Sequence, residues 1–382
     1  MHRRRFLSSL ATATAAVAVP PCLRSAAATA SDSFYSIGRR GGRNWFIAPD
    51  GAQVFSLALN HIDPSPLRYP ENGDIWARRY GNSMERWLKE AVAPDLRAWG
   101  FNGVGWTQEV VTRGLRNHRH SRAFTYEEYQ WLGLPYCHML PFADFHQWEA
   151  ETIYPDFASP EFAQWCDYVA REYCARMKDD PKLIGYFYVD CPTWIHTRPP
   201  SAWKGPMFDP EKLGTKAGRD ALFELASRYY RITHDAIRRY DPHHLILGDR
   251  YEAGQPISAE VVRAALPYVD VLSFQHFSTA ENIRRNLTKW HAETGKPVLL
   301  ADHAAVDRRA GEEQHLHGAG YAGMLRTLRD VPGCVGYHLC GGYLRNKARN
   351  RGLRDAAERP DDEAIAAITA ANREAAGWMR RG

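Results

Sequence analysis

The sequence predicts an α/β protein, a single (β/α)8 TIM barrel over residues 31–382 with a short N-terminal β-hairpin. Eight short β-like segments follow one another along the chain, and most are followed by a segment with helical periodicity. No Ser/Gly-rich linker, low-complexity tract or charge block divides this part of the chain. Barrels of this class often exceed the usual length of a single domain, so one domain is expected.

Residues 1–30 have the pattern of a twin-arginine export signal. Residues 3–7 read Arg-Arg-Arg-Phe-Leu, residues 10–19 are apolar and Ala-rich, and residues 28–30 (Ala-Thr-Ala) form a small-residue cleavage site. The apolar stretch is shorter than the roughly 20 residues that span a bilayer, although an uncleaved signal anchor is an alternative. We expect a periplasmic or secreted protein that is free of the membrane after cleavage.

Charge and cysteine content limit the classes of partner. Without residues 1–30, the chain carries 45 Lys and Arg against 44 Asp and Glu, so no basic nucleic-acid footprint is predicted. Six cysteines remain, with neither CxxC pairs nor zinc-ribbon spacing, and most are expected to be buried thiols. An oxidising compartment would also permit a disulfide.

The predicted barrel strands are mostly continuous apolar runs, as expected when both faces of a parallel sheet are covered. They span residues 54–59, 103–106, 135–140, 183–189, 245–248, 269–274, 298–301 and 334–339.

The segments between the strands are amphipathic. Residues 159–178, 221–240 and 279–294 place apolar side chains at helical spacing. Ahead of the barrel, Asp50-Gly51 is a turn between two β-like segments, and this hairpin is expected to cover the N-terminal end of the barrel. No Gly-x-Gly-x-x-Gly follows the first strand, which argues against a dinucleotide-binding fold.

Polar and aromatic side chains follow nearly every predicted strand. Active sites of such barrels lie at these C-terminal strand ends, and aromatic rings beside polar groups suit a sugar. Core packing is the alternative for the aromatic residues. The predicted substrate contacts are Asn60, His61, Trp106, Glu109, Asp144, Cys191, Trp194, Asp249, Arg250, Glu252, Gln275, His276, His303 and His338.

Asp190 and Asp302 are the predicted catalytic acids. They end strands four and seven, on opposite sides of the barrel mouth, where two carboxylates could act on a bound sugar. A structural ion pair or a helix cap is the alternative for each. Glu109 and Glu252 are the reserve candidates.

Several stretches resemble the agarase-like members of the retaining-glycosidase superfamily of (β/α)8 barrels. Residues 45–51 (Trp-Phe-Ile-Ala-Pro-Asp-Gly) and 55–61 resemble their opening hairpin and first strand. Residues 180–187 resemble the segment that leads into strand four, and residues 295–300 resemble strand seven. The resemblance covers about residues 40–355, and it implies a glycoside hydrolase acting on a polysaccharide or oligosaccharide without a cofactor or metal.

The chain departs from these relatives at both catalytic positions. They end strand four with Asn-Glu, the Glu being the acid/base, whereas Cys191 stands there in this chain. Asp302 takes the place of their nucleophilic Glu. Our hypothesis is that Asp302 is the nucleophile or base and that Asp190 is the acid. Retention, at a carboxyl separation of about 5–5.5 Å, and inversion, at about 6.5–9.5 Å, are both open. Cys191 could be a structural thiol, part of the substrate-binding wall or a catalytic thiol.

Two other functions remain open. A metal-dependent hydrolase would use His-x-His pairs, which occur at His118/His120 and His315/His317 but not after strand one. A non-catalytic sugar-binding barrel would account for the absence of both usual Glu residues. Neither a Gly-x-Ser-x-Gly elbow nor a P-loop occurs in the sequence.

Overall fold

An antiparallel sheet of three strands precedes the barrel: β1 (Ser36–Arg40), β2 (Arg43–Ile47) and β3 (Gln53–Val54). The computed structural model describes residues 33–110, 121–143, 145, 155–196, 205–308, 314–347 and 350–379. The predicted hairpin is confirmed, and its turn contains Gly51 at φ 81°. The predicted export signal lies outside the described residues.

A closed barrel of eight parallel strands follows, which confirms the predicted fold class. Each strand pairs with its neighbours in chain order, and the last strand pairs with the first. The strands are β4 (Ser56–Leu59), β5 (Gly103–Val104), β8 (Tyr136–Met139), β9 (Leu183–Asp190), β10 (Leu245–Glu252), β11 (Leu272–Gln275), β12 (Val298–His303) and β15 (Cys334–Leu339). Two short antiparallel ribbons follow barrel strands, namely β6 (Gln108–Val110) with β7 (Ser121–Ala123) and β13 (Val306–Arg308) with β14 (Gln314–Leu316).

Helices surround the barrel, and the three predicted amphipathic helices are present. Each of the three begins after a hydroxyl side chain that accepts a hydrogen bond from a backbone N–H of the first turn. The helices are α1 (Ile75–Tyr80), α2 (Met84–Trp87), α3 (Ala93–Ala98), α4 (Tyr126–Leu132), α5 (Pro160–Met177), α6 (Lys216–Tyr240), α7 (Ala259–Ala265), α8 (Ala280–Thr294), α9 (Gly318–Arg329) and α10 (Asp362–Ala376). Among the described residues, none of these helices has the length and apolar character needed to cross a bilayer.

The N-terminal sheet closes the bottom of the barrel. Phe46 is fully buried in the same apolar cluster as Leu245 and Val335, which point inward near the starts of their strands. The backbone N–H of Asn44 donates to Pro332 O at 2.8 Å. Arg43 donates to the carbonyl oxygens of Leu328, Arg329 and Cys334. The ligand-accessible end of the barrel is therefore the opposite, C-terminal end.

Strand β10 is longer than predicted because it continues through a β-bulge at Gly248. Its pairing with β9 shifts register on both sides of this residue, which has φ 65°. A left-handed residue without a side chain is suited to a bulge of this kind. Leu245 and Leu247 face the barrel interior before the bulge, and Arg250 faces it after the bulge. The bulge therefore turns Arg250 into the barrel.

All six cysteines in the described part of the chain are free and buried: Cys137, Cys166, Cys174, Cys191, Cys334 and Cys340.

Candidate active site

The C-terminal ends of the barrel strands gather most of the predicted site residues into one buried polar group. Asn60 and His61 follow β4, Trp106 follows β5, and Cys191 follows Asp190 at the end of β9. Asp144 lies outside the described residues, and Glu109 belongs to β6, where only the backbone is described. The remaining members are Arg250, Glu252, Gln275, His276, Asp302, His303 and His338.

Arg250 lies at the centre of this group and is fully buried. Its Nη1 is 2.9 Å from Asp190 Oδ1, and its Nη2 is 3.5 Å from Asp302 Oδ2. Nη2 also donates to Ala301 O at 2.9 Å, and the guanidinium lies 4.8 Å from the centre of the Trp106 ring. The structure thus brings both predicted acids to one guanidinium, whose positive charge offsets the cost of burying them.

Asp302 is also held from the side of β4. Asn60 Nδ2 donates to Asp302 Oδ1 at 2.6 Å and to Ala301 O at 2.9 Å. His61 Nε2 lies 4.0 Å from the same carboxylate oxygen. His61 has φ 60°, an uncommon conformation for a residue other than glycine. The position of Asp302 is therefore fixed by Asn60, which follows β4, and by the charged side chain of Arg250 on β10.

Cys191 and Glu252 are neighbours at the ends of β9 and β10. Cys191 Sγ is 3.7 Å from Glu252 Oε2, and Cys191 has φ 47°. Burial raises the pKa of the Cys191 thiol well above its usual value, and the charges of Asp190 and Glu252 raise it further. A neutral thiol is a weak hydrogen-bond donor and a poor nucleophile, which favours a structural thiol over a catalytic one at Cys191.

Burial keeps the neighbouring imidazoles neutral. It lowers the pKa of His303 to about 4 and that of His338 to about 3, and it also lowers the pKa of His276. His303 Nδ1 is 2.9 Å from His276 O, and His338 Nε2 is 2.9 Å from Ser56 Oγ. These rings serve as hydrogen-bonding groups at neutral pH.

Asp249 faces away from Arg250, toward helix α6. Its carboxylate accepts hydrogen bonds from Tyr229 at 2.9 Å, Tyr230 at 2.6 Å and Trp194 Nε1 at 3.3 Å. Burial raises the pKa of Asp249 to about 6, and these three hydrogen bonds oppose the increase. Asp249 therefore links strand β10 to helix α6 through hydrogen bonds.

A small cavity opens beside Glu252 at the rim of the barrel. It is lined by Trp194, His196, Tyr251, Glu252, Ile257 and Val261, among others. The indole of Trp194 also packs edge-on against Phe145 at 5.2 Å. Tyr129, in helix α4, stacks on Tyr136 at 3.9 Å and is fully buried, so it belongs to the core.

Sequence reasoning missed Cys340 and Arg351 as neighbours of Asp302. Cys340 Sγ is 3.5 Å from His61 Nε2, and Arg351 Nη2 is 3.1 Å from the same sulfur. Cys340 directly follows the eighth strand, a position that could have identified it. Arg351 comes 11 residues later, and only the return of the chain to the rim brings it back.

One group of atoms in the described part of the chain has the chemistry of a metal site. His61, Asp302 and Cys340 each place a donor atom within 4.8 Å of the others. Two of these three residues already accept hydrogen bonds from the protein: Asn60 donates to the Asp302 carboxylate, and Arg351 donates to the Cys340 sulfur. Of the predicted His-x-His pairs, His315 bonds Asp361 at 2.9 Å, and His118 and His120 lie outside the described residues.

Comparison with known proteins finds the same barrel in agarases. No family model matches the chain. A curated relative, beta-agarase B of Vibrio sp. (strain JT0107), is 24% identical over 130 residues, which are 31% of this chain and 13% of that protein. A solved exo-beta-agarase has a TM-score of 0.68 and 17% identity, covering 92% of this chain and 66% of its own.

A second solved structure, the agarase AgWH50C, has a TM-score of 0.67 and 17% identity. The match covers 91% of this chain and 64% of that agarase. The chain thus spans about two thirds of the length of these solved agarases and a much smaller part of the curated one. At these identities, the comparisons establish that this chain shares its (β/α)8 fold with the agarases.

Proposed function

We propose that this protein is an O-glycoside hydrolase that cleaves a polysaccharide or oligosaccharide at the C-terminal mouth of the barrel. One observation carries the proposal: Asp190 and Asp302, from two barrel strands that are not neighbours, reach the same buried guanidinium. Glycoside cleavage needs carboxyl groups held on either side of a sugar. The agarase likeness makes agarose the first candidate substrate, and the predicted export signal supports a glycan outside the cytoplasm.

Asp302 is the proposed nucleophile or base. Asn60 and Arg250 fix its carboxylate, and an ionised, oriented oxygen is what attack on an anomeric carbon, or activation of a water molecule, requires. Asp190 is proposed to be equally necessary because it holds the other side of Arg250. Trp106, packed against the same guanidinium, is a suitable apolar surface for the sugar ring.

The experiment is an assay of purified protein against a glycan panel that includes agarose and agaro-oligosaccharides, with reducing ends and product anomers measured. Asp302→Asn and Asp190→Asn are each expected to lower kcat/KM by on the order of 10²–10⁴-fold. The exposed Asp330→Asn is the matched control and is expected to keep full activity. Thermal melts establish that all variants are folded.

Two results would reject the proposal. One is glycan binding without turnover across the panel, which would identify a carbohydrate-binding barrel. The other is full activity of Asp302→Asn on a glycan that the wild type cleaves. The anomer released first assigns retention or inversion, which the proposal leaves to the measurement.

A further inference from the structure

We propose that the phenyl ring of Phe277 is a platform on which a sugar ring of the substrate stacks, on the Asp302 side of the barrel mouth. The inference rests on the proposed glycoside hydrolase function and adds a binding residue to the same site. Phe277 comes two residues after the end of strand β11, and the paired strand β12 ends with Asp302 and His303. Phe277 therefore lies at the end of the barrel where ligands have access.

The predicted substrate contacts form a closed, polar floor. Among those that the structure describes with their side chains, none is more than 6% exposed, and Asn60, Arg250 and His338 have no exposed surface. Phe277 differs from all of them, because it is 41% exposed. An apolar ring in water at the entrance to a polar site gains free energy when the apolar face of a ligand covers it.

Large apolar side chains that are exposed occur in two places in the described part of the chain. Phe277 and Val306, which is 37% exposed, follow the paired strands β11 and β12. Trp165 and Tyr168 lie on the outer helix α5. The exposed apolar surface at the strand ends is therefore on the side of the mouth that β11 and β12 form, which is the side that carries Asp302.

Two neighbouring side chains hold the Phe277 ring. Its centre lies 6.1 Å from the centre of the His303 imidazole, and the two planes are inclined at 38°. Arg351, from the segment after the eighth strand, places its guanidinium 5.6 Å from the centre of the ring. The backbone is tied as well, because His303 Nδ1 lies 2.9 Å from the carbonyl oxygen of His276. The ring is thus held next to Asp302 from two parts of the chain.

The chemistry of this position suits a sugar. A sugar ring has apolar C–H faces and hydroxyl groups along its edges, so a face can cover the phenyl ring while the edges meet polar side chains. Burial lowers the pKa of His276 and His303, and both imidazoles are neutral hydrogen-bonding groups at neutral pH. Phe277 itself has neither a donor nor an acceptor, so its contribution is stacking alone.

The test is the kinetics of Phe277 variants on the glycan that the wild type cleaves. Phe277→Ala is expected to raise KM about tenfold and to change kcat less than about twofold, because the ring contributes to binding and not to the chemical step. Phe277→Leu keeps the apolar volume without the flat face and is expected to resemble Phe277→Ala. Phe277→Tyr restores a flat ring and is expected to stay within about twofold of the wild-type KM.

Tyr168→Ala is the matched control, because Tyr168 is an aromatic side chain of similar exposure, 48%, on helix α5. It is expected to keep the wild-type KM. Urea unfolding establishes that each variant is folded under the assay conditions. A purely structural role of Phe277 would instead lower stability and kcat and leave KM unchanged.

Binding is measured separately, as the retardation of each variant in native polyacrylamide gels that contain a glycan of the panel. The inference is overturned if Phe277→Ala keeps the wild-type KM and retardation, or if Phe277→Leu restores KM as well as Phe277→Tyr does. If the wild type cleaves no glycan but is retarded, and Phe277→Ala is not, hydrolysis is rejected and the platform is supported. A wild type that is neither active nor retarded would reject both.

Discussion

Replacing Arg250 with Met tests the electrostatic centre of the site. Arg250 is fully buried, and the side chains of its partners Asp190 and Asp302 are 7% and 4% exposed. Removal of the guanidinium leaves two carboxylates buried without that charge. Breaking a buried ion pair in this way costs about 3–5 kcal/mol, and Arg250 also loses its hydrogen bond to Ala301 O. We expect the free energy of unfolding to fall by about 3–5 kcal/mol, a roughly 10²–10⁴-fold rise in the unfolded fraction.

The assay is urea unfolding at neutral pH, with the dependence on denaturant compared between variants to establish that the same transition is observed. Arg176→Met is the control, because Arg176 forms an exposed pair with Glu127 and surface pairs contribute little. Adding Asp190→Asn and Asp302→Asn to Arg250→Met removes the uncompensated charges and is expected to recover most of the loss. A loss below about 1 kcal/mol for Arg250→Met, or no recovery in the triple variant, would refute this electrostatic account.

Two further predictions concern the ends of the barrel. Arg43→Met removes the hydrogen bonds to the Leu328, Arg329 and Cys334 carbonyl oxygens. The free energy of unfolding, measured by urea titration, is expected to fall by about 2–3 kcal/mol. An unchanged urea midpoint would show that the attachment of the N-terminal sheet does not depend on these hydrogen bonds. The pKa of Asp249 is raised from its usual 3.8 to about 6, so its protonated form favours folding, and this contribution is lost as the pH rises from about 4 through about 6. In Asp249→Asn this loss does not occur. The free energy of unfolding of the variant minus that of the wild type is therefore expected to increase by up to about 3 kcal/mol between pH 4 and pH 7. A difference that is independent of pH would contradict a raised pKa for Asp249.

The barrel could be predicted because its strands are apolar on both faces and therefore differ from the amphipathic helices between them. The predicted eighth strand has the observed bounds, and the predicted bounds of most others differ by a few residues. Strand β10 shows why the ends are harder to predict. The predicted strand ends at Gly248, but the observed strand bulges there and continues to Glu252. Sequence alone does not distinguish a glycine in a turn from a glycine in a β-bulge, because the difference lies in how the neighbouring strand pairs with it.

The site could be predicted as a group of residue types but not as a set of contacts. Most of the polar residues that follow the predicted strands do lie together at the rim, since all strands of a parallel barrel end on the same side. The sequence could not reveal that Arg250 lies between Asp190 and Asp302, because the three residues are far apart in sequence and the direction of each side chain depends on how the strands pair. The direction of Asp249, toward helix α6, also depends on the bulge that precedes it. The assignment of catalytic roles stays a prediction for the variants above.

The extra residue at Gly248 decides what strand β10 presents to each side. Side chains alternate along a strand, so inserting one residue exchanges the two sets beyond it. With regular alternation after Leu247, Asp249 and Tyr251 would project toward the barrel axis, and Arg250 and Glu252 would project toward the outer helices. The bulge therefore keeps a cationic centre at the barrel axis, where regular pairing of the same residues would place an anion and a phenol. The chemistry at the mouth thus depends on how the strand accommodates one residue that has no side chain.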